Sequence, residues 1–210
     1  MLKIYDWHMA PNPRRLHIFV AEKNIPVEYI EVGGENAKLA DWYLEKYPYG
    51  LTPMLELDDG TCIGEVPAIW HYLEALYPDP PLLGRTPKEQ ALVIMWEAFA
   101  RDDAFYRAGD VFRNTHPAFA DRGLPGTKES IPQLPELAAR GRAAMVRFFK
   151  KFDAQLANNA FVAGDHFSVA DITTLCALDF AKWCDIHIPA EAKNLQRWYD
   201  AVSARPSTKA

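Results

Sequence analysis

Between Tyr77 and Gly84 the chain reads YPDPPLLG, and no helix or strand can run through it. Pro78, Pro80 and Pro81 remove backbone donors and fix φ within four consecutive positions. The sequence has a different texture on each side of this break. That constrains the 210 residues to two small bodies joined by a linker at 78–85, the first spanning residues 1–77 and the second 86–210.

Before the linker, short apolar strands alternate with helical periodicity. Lys3 to Tyr5 reads as a strand. Arg14 to Asn24 reads as a helix with Leu16, Phe19 and Val20 on one face, and Val27 to Val32 as a second strand. An irregular helical segment covers Lys38 to Lys46. Met54 to Leu57 is a third strand, headed by Pro53 and closed by the turn Asp58-Asp59-Gly60. Thr61 to Ile63 is its partner, and a helix spans Glu65 to Leu76. The order is β-α-β-α-β-β-α.

After the linker only helices are expected. Thr86-Pro-Lys-Glu89 is a capping box with proline at the first helical position, opening a helix that reaches about Asn114. His116-Pro117 and a Gly/Pro-rich loop through Pro132 follow. A second long helix covers Pro135 to Asn158. Ser168-Val-Ala-Asp171 is another N-cap, with Phe167 and Ile172 placed as an apolar staple. A last helix spans Ala190 to Ala204, and Pro206 stops it.

Composition narrows the function classes. Hydrophobic content of 49% supports real cores, and the net charge of −5 is spread without blocks, which argues against nucleic acid and polybasic membrane binding. The first residues, MLKIYDWHM, lack the apolar stretch of a signal peptide, and no apolar run approaches membrane-spanning length. Cys62, Cys176 and Cys184 are odd in number and scattered; they fit a reducing cytoplasm and form no disulfide or zinc pattern. No metal is expected.

Pro53 poses a specific question. A proline cannot donate to a sheet ladder, and it restricts Thr52 before it. On the residues alone it either opens an edge strand or keeps the Thr52 backbone out of the sheet for another purpose. Four segments taken in order decide between these: APNPRRLHIFVAEKNI, LTPMLELDDG, EVPAIWHYLE and GDHFSVADI. Together they resemble the cytosolic glutathione transferase family over essentially the whole chain, with a finer likeness to bacterial and fungal members whose first helix begins PNPRR.

The resemblance implies an α+β/all-α two-domain fold, a thioredoxin-like βαβαββα N-terminal domain followed by an all-helical C-terminal domain. It implies a cis Pro53, with the N–H and C=O of Thr52 pairing with the cysteinyl backbone of glutathione as an added strand would. Glu65 would hold the γ-glutamyl ammonium, and the Val66 N–H the α-carboxylate; Val66 lacks the hydroxyl that relatives carry there. Lys38 would meet the glycyl carboxylate, whereas Leu51 stands where many bacterial members have a lysine.

Relatives stabilise the glutathione thiolate with a tyrosine, serine or cysteine near the first helix. Here Trp7-His-Met-Ala-Pro-Asn-Pro-Arg14 has neither Ser nor Cys, and Ala10 stands where serine is common. Asn12 is the remaining donor, beside the positive end of the helix. Asn12-Pro13 also reads as an N-cap pair, and the two roles compete for one side chain. His8 is a second candidate, as acceptor of the thiol proton.

Trp7, Met9, Tyr106, Phe112, Arg113 and His116 would line the pocket for a small hydrophobic electrophile. The expected activity is conjugation of glutathione, a co-substrate, to such electrophiles, with reduction of organic peroxides as a possible addition. A non-catalytic ligand-binding or regulatory protein on the same fold, or a specialised isomerase, dehalogenase or lyase, are the alternatives. The family resemblance implies a homodimer, joined through the 65–76 helix with Trp70 and Tyr72 and the helix around Ala91 to Phe105.

Overall fold

The computed structural model describes residues 1–33, 39–126 and 129–210. Strands β1 (Leu2–Asp6), β2 (Val27–Glu31), β3 (Met54–Glu56) and β4 (Cys62–Gly64) form one sheet in the order β2-β1-β3-β4. β1 and β2 are parallel, while β3 pairs antiparallel with both β1 and β4. Helices α1 (Pro11–Lys23) and α3 (Val66–Leu76) contribute Leu16, Phe19, Ile69 and Trp70 to the large core. Helix α2 (Asp41–Lys46) contributes Tyr43 to a small separate cluster with Tyr5, Val32 and Met54. Because strand side chains alternate, Ile4 and Leu55 serve the first core and Tyr5 and Met54 the second.

Beyond the linker come α4 (Pro87–Ala100), α5 (Tyr106–Arg113), α6 (Pro135–Leu156), α7 (Val169–Lys182) and α8 (Lys193–Ser203). The single helix expected from Thr86 to Asn114 departs from regular α geometry, passing through a π-helical stretch at Arg101–Phe105 between α4 and α5. Helix α7 is buried along nearly its whole length and packs against α1, so one core joins the two halves. The last helix is shorter than expected, and Pro206 opens a 3-10 turn rather than ending order.

Two further expectations need correcting. Trp70 is buried, with its ring stacked 6.0 Å from Phe19, so it does not present a surface to a second subunit. Helix α1 begins at Pro11, with Ala10 as N-cap and no side-chain cap bond; Asn12 sits inside the first turn rather than capping it. Asn24, in the left-handed region at φ 52°, closes that helix instead.

Candidate active site

The register of the sheet brings three chain segments to one edge. Tyr5 faces Met54, so continuing the antiparallel pairing sets Trp7 opposite Thr52. Met54 faces Gly64, and the same extension sets Val66 opposite Thr52. The chain thus leaves β1 toward α1 and β4 toward α3 at the end of the sheet where β3 begins.

The Thr52–Pro53 bond is cis, and pairing in β3 starts only at Met54. The Leu51 carbonyl accepts a hydrogen bond from the Tyr43 hydroxyl at 2.6 Å. Carbonyl and N–H point to opposite sides of a trans peptide, so the Thr52 N–H is turned away from α2. Among the described residues neither the N–H nor the C=O of Thr52 has a backbone partner. An unpaired N–H and C=O at the head of a strand is the arrangement to which an extended peptide can add as a further strand.

Glu65 is the N-cap of α3 at φ 62° and ψ 118°, a backbone region that costs a non-glycine residue about 1–3 kcal/mol. Its carboxylate is exposed and accepts from no N–H of the helix. Pro67 has no N–H, and the Ala68 and Ile69 N–H groups return to the Glu65 carbonyl, which leaves the Val66 N–H as the free donor. Behind this turn the Tyr47 hydroxyl crowds Gly64 so closely that a Cβ there would lie 1.9 Å from it. Any other residue there would have to displace the Tyr47 side chain. Lys38 lies outside the described residues.

Helix α1 delivers Asn12 in its first turn. Pro11 and Pro13 have no N–H, so Asn12 supplies the free backbone donor there as well as its side chain. The side-chain oxygen of Asn12 accepts from Arg15 Nη1 at 3.1 Å. His8 is exposed and bound to Glu31, with Nδ1 2.8 Å from the carboxylate and its own N–H 3.3 Å from the same oxygen. Glu31 Oε1 accepts from Gly33, and the Trp7 indole packs over Gly33.

Of the residues expected to line the electrophile pocket, Tyr106 and Met9 are exposed, and Phe112, Arg113 and His116 cluster around Phe119 after α5. Tyr106 is exposed where α5 begins, with Arg101 over its ring at 5.9 Å. Met9 is exposed near the start of α1. Phe112 is half-buried against the helical core, its ring 5.5 Å from Phe180 and 5.6 Å from Trp183. Arg113 donates to the Arg122 carbonyl and lies 4.9 Å over Phe119, and burial followed by the nearby Arg122 charge pushes its pKa down. His116 caps a short 3-10 turn, its Nδ1 accepting from the Ala118 N–H at 3.2 Å. This last group braces the loop after α5, whose Gly126 packs on Leu51.

Both arginines of PNPRR cross to the helical half, which their surface-like local pattern does not reveal. Arg14 pairs with Asp179 at 2.6 Å, and Arg15 with Glu97 at 2.7 Å. Glu97 and Thr173 are buried polar residues on helices remote in sequence.

Among the described residues no group of three His, Cys, Asp or Glu could hold a metal, and no helix is long and apolar enough to cross a membrane. Sequence comparison matches residues 4–81 to the family Glutathione S-transferase, N-terminal domain, and residues 117–206 to Glutathione S-transferase, C-terminal domain. Glutathione S-transferase 2 of Saccharomyces cerevisiae is 36% identical over 211 residues, covering 98% of this chain and 87% of the yeast protein. Two solved structures share the fold. A glutathione S-transferase domain-containing protein of Marinobacter aquaeolei has a TM-score of 0.85 and 36% identity, with 98% of this chain and 99% of that one covered. Gtt2 of Saccharomyces cerevisiae has a TM-score of 0.86 and 34% identity, with 99% and 98% covered. The matches span both halves of the molecule, and the chain belongs to the glutathione S-transferase family.

Proposed function

We propose that this glutathione transferase holds glutathione along Thr52 and conjugates its thiolate to a small hydrophobic electrophile in the cleft between the sheet and α5. The observation that carries the reading is that Thr52, its N–H and C=O without backbone partners among the described residues, heads β3 at the same end of the sheet where β1 and β4 lead into α1 and α3. The tripeptide's cysteinyl backbone pairs with the N–H and C=O of Thr52. Its α-carboxylate meets the Val66 N–H at the positive end of α3, and its ammonium meets the exposed Glu65 carboxylate. Lys38 remains the candidate for the glycyl end.

The protein's contribution to rate is proximity and thiolate stabilisation. The side-chain NH2 of Asn12 donates to the sulfur, and His8, buffered by Glu31, takes up the released proton. Trp7, Met9, Tyr106, Phe112, Arg113 and His116 form the electrophile's walls. The same thiolate serves organic peroxides. Residues 1–77 bind glutathione, residues 86–210 bind the electrophile, and the role is cytoplasmic detoxification. The active form is a homodimer; Ile94, Met95 and Phe99 form an exposed apolar strip on α4 suited to that contact.

Retention on immobilised glutathione combined with an aryl-halide conjugation assay tests the function. Retention with turnover is expected. Retention without turnover would point to a specialised lyase, isomerase or dehalogenase, and failure of both to a binding protein on the same fold.

A further inference from the structure

Arg15 is a fully buried guanidinium whose three nitrogens each reach a different element. Nε donates to Thr173 Oγ1 at 3.1 Å on α7, Nη2 to Glu97 Oε1 at 2.7 Å on α4, and Nη1 to Asn12 Oδ1 at 3.1 Å on its own helix. Its plane lies between two rings, 4.8 Å from the centroid of Trp70 and 5.1 Å from that of Phe105. Thr173 also donates to Glu97 Oε1 at 3.2 Å, and Arg101 approaches Glu97 Oε2 at 3.4 Å.

Stapling the two halves does not account for all of this. Arg14 already joins α1 to α7 through Asp179, and Arg15 joins α1 to α4 through Glu97. The bond to Asn12 stays within α1, three residues back, and adds nothing to the staple. What it does is settle a choice. An asparagine amide can present its oxygen or its NH2 to a given side, and arginine only donates. The Asn12 oxygen must therefore face Arg15, which sends the NH2 the other way. Among the described residues that NH2 has no acceptor, and Asn12 is half-buried while the Arg15, Glu97 and Thr173 it joins are buried.

We propose that Arg15 is a positioning residue for the thiol site: held by Glu97, Thr173 and the two aromatic rings, it locks the Asn12 amide with its NH2 toward the glutathione sulfur. A reversed amide would set two donors face to face against a buried cation that cannot move. The Arg15 charge on the amide oxygen also polarises the group and strengthens the outward N–H as a donor. Since Glu97 balances that charge, the effect on the sulfur is one of orientation more than of net charge. The donor geometry is thus set by side chains on α4 and α7, so docking of the helical half completes the site on the other half.

The inference rests on the reading of Asn12 as the sulfur's donor, and the test separates the two. The pKa of enzyme-bound glutathione is followed through the ultraviolet absorbance of its thiolate as pH is raised. Asn12→Ala should raise that pKa by about one unit, a roughly tenfold loss of thiolate at fixed pH. Arg15→Lys keeps the charge but not the fork, and should give a shift of similar size. The double variant should shift no further, because both substitutions remove one hydrogen bond.

If Arg15→Lys does not melt cooperatively, Arg15→Met combined with Glu97→Leu removes the pair without leaving a buried charge, and the same shift is expected. A folded Arg15 variant that titrates like the parent while Asn12→Ala shifts would overturn the positioning role alone. If Asn12→Ala itself titrates like the parent, the donor reading fails and the positioning role falls with it.

Discussion

At the starts of α4, α7 and α8 a carboxylate or hydroxyl caps the helix; at the starts of α1 and α3 none does. Thr86 Oγ1 accepts from the Glu89 N–H at 3.2 Å. Asp171 accepts the Ser168 N–H at 3.0 Å and is itself gripped by the Val162 N–H and the Trp198 indole. Asp153, reaching over from α6, takes the Asn194 and Leu195 N–H groups that open α8. Helices α2 and α6 have at least an acid in the first turn, Asp41 and Glu136. Helices α1 and α3 have neither a side-chain cap bond nor a first-turn acid, and prolines already remove part of their donor set. Chains seldom leave partly buried donors unpaired without a use. The capped starts belong to folding, and the two bare ones face the edge where glutathione is proposed to bind.

Substitutions at capped starts should lower stability and leave glutathione binding alone; those at bare starts should do the reverse. The largest effect is expected from Asp171→Ala. It orphans the buried Val162 N–H and Trp198 Nε1 together with the Ser168 cap, at a cost of about 3 kcal/mol or more, read from denaturant unfolding. Asp171 also has a pH signature. Burial pushes its pKa up to about 6 against the opposing hydrogen bonds. A carboxyl whose folded pKa exceeds its unfolded one binds more protons when folded. Its contribution is therefore greatest below the unfolded value near 4 and is lost as pH rises through about 6. The stability margin of the parent over Asp171→Asn should then widen by on the order of 1 kcal/mol from pH 7 to pH 5. A margin that narrows would mean that the hydrogen bonds outweigh burial. Thr86→Ala, an exposed cap, should cost about 1 kcal/mol with glutathione affinity unchanged.

The same contrast explains what could be read in the sequence. The two capped starts rest on local spacing, Thr86 to Glu89 and Ser168 to Asp171, and both stand in the structure. Pro53 and the linker were equally local signals. Asn12 was misplaced because the stretch PNP offers two prolines to a helix start. The chain uses the earlier one with Ala10 as cap, which no side-chain preference at Ala10 announces. Trp70 is buried for another reason: helical spacing marks an apolar face without saying whether it meets the core, a cleft or a partner. Arg15 is buried only because Glu97 and Thr173 await it on the other half of the molecule, and pairing over that separation leaves no local pattern.

Glu65 provides the smallest expected effect on stability and the sharpest division between the two kinds of helix start. Its φ of 62° is a conformation glycine adopts freely, and its carboxylate makes no bond to the helix it opens. Glu65→Gly should therefore leave the protein as stable as before or gain up to about 1 kcal/mol, since relief of the backbone offsets the added freedom of the unfolded chain. In the proposed binding mode the same substitution removes the carboxylate that meets the ammonium of glutathione. An exposed charge-assisted hydrogen bond of this type is worth about 1.5 kcal/mol, or roughly tenfold in affinity. Calorimetric titration with glutathione, run beside thermal unfolding, reads both quantities on one sample. Weaker binding with undiminished stability would place Glu65 with Asn12 among groups kept for the ligand. Lost stability with unchanged affinity would make Glu65 a structural residue and move the γ-glutamyl site elsewhere on the sheet edge.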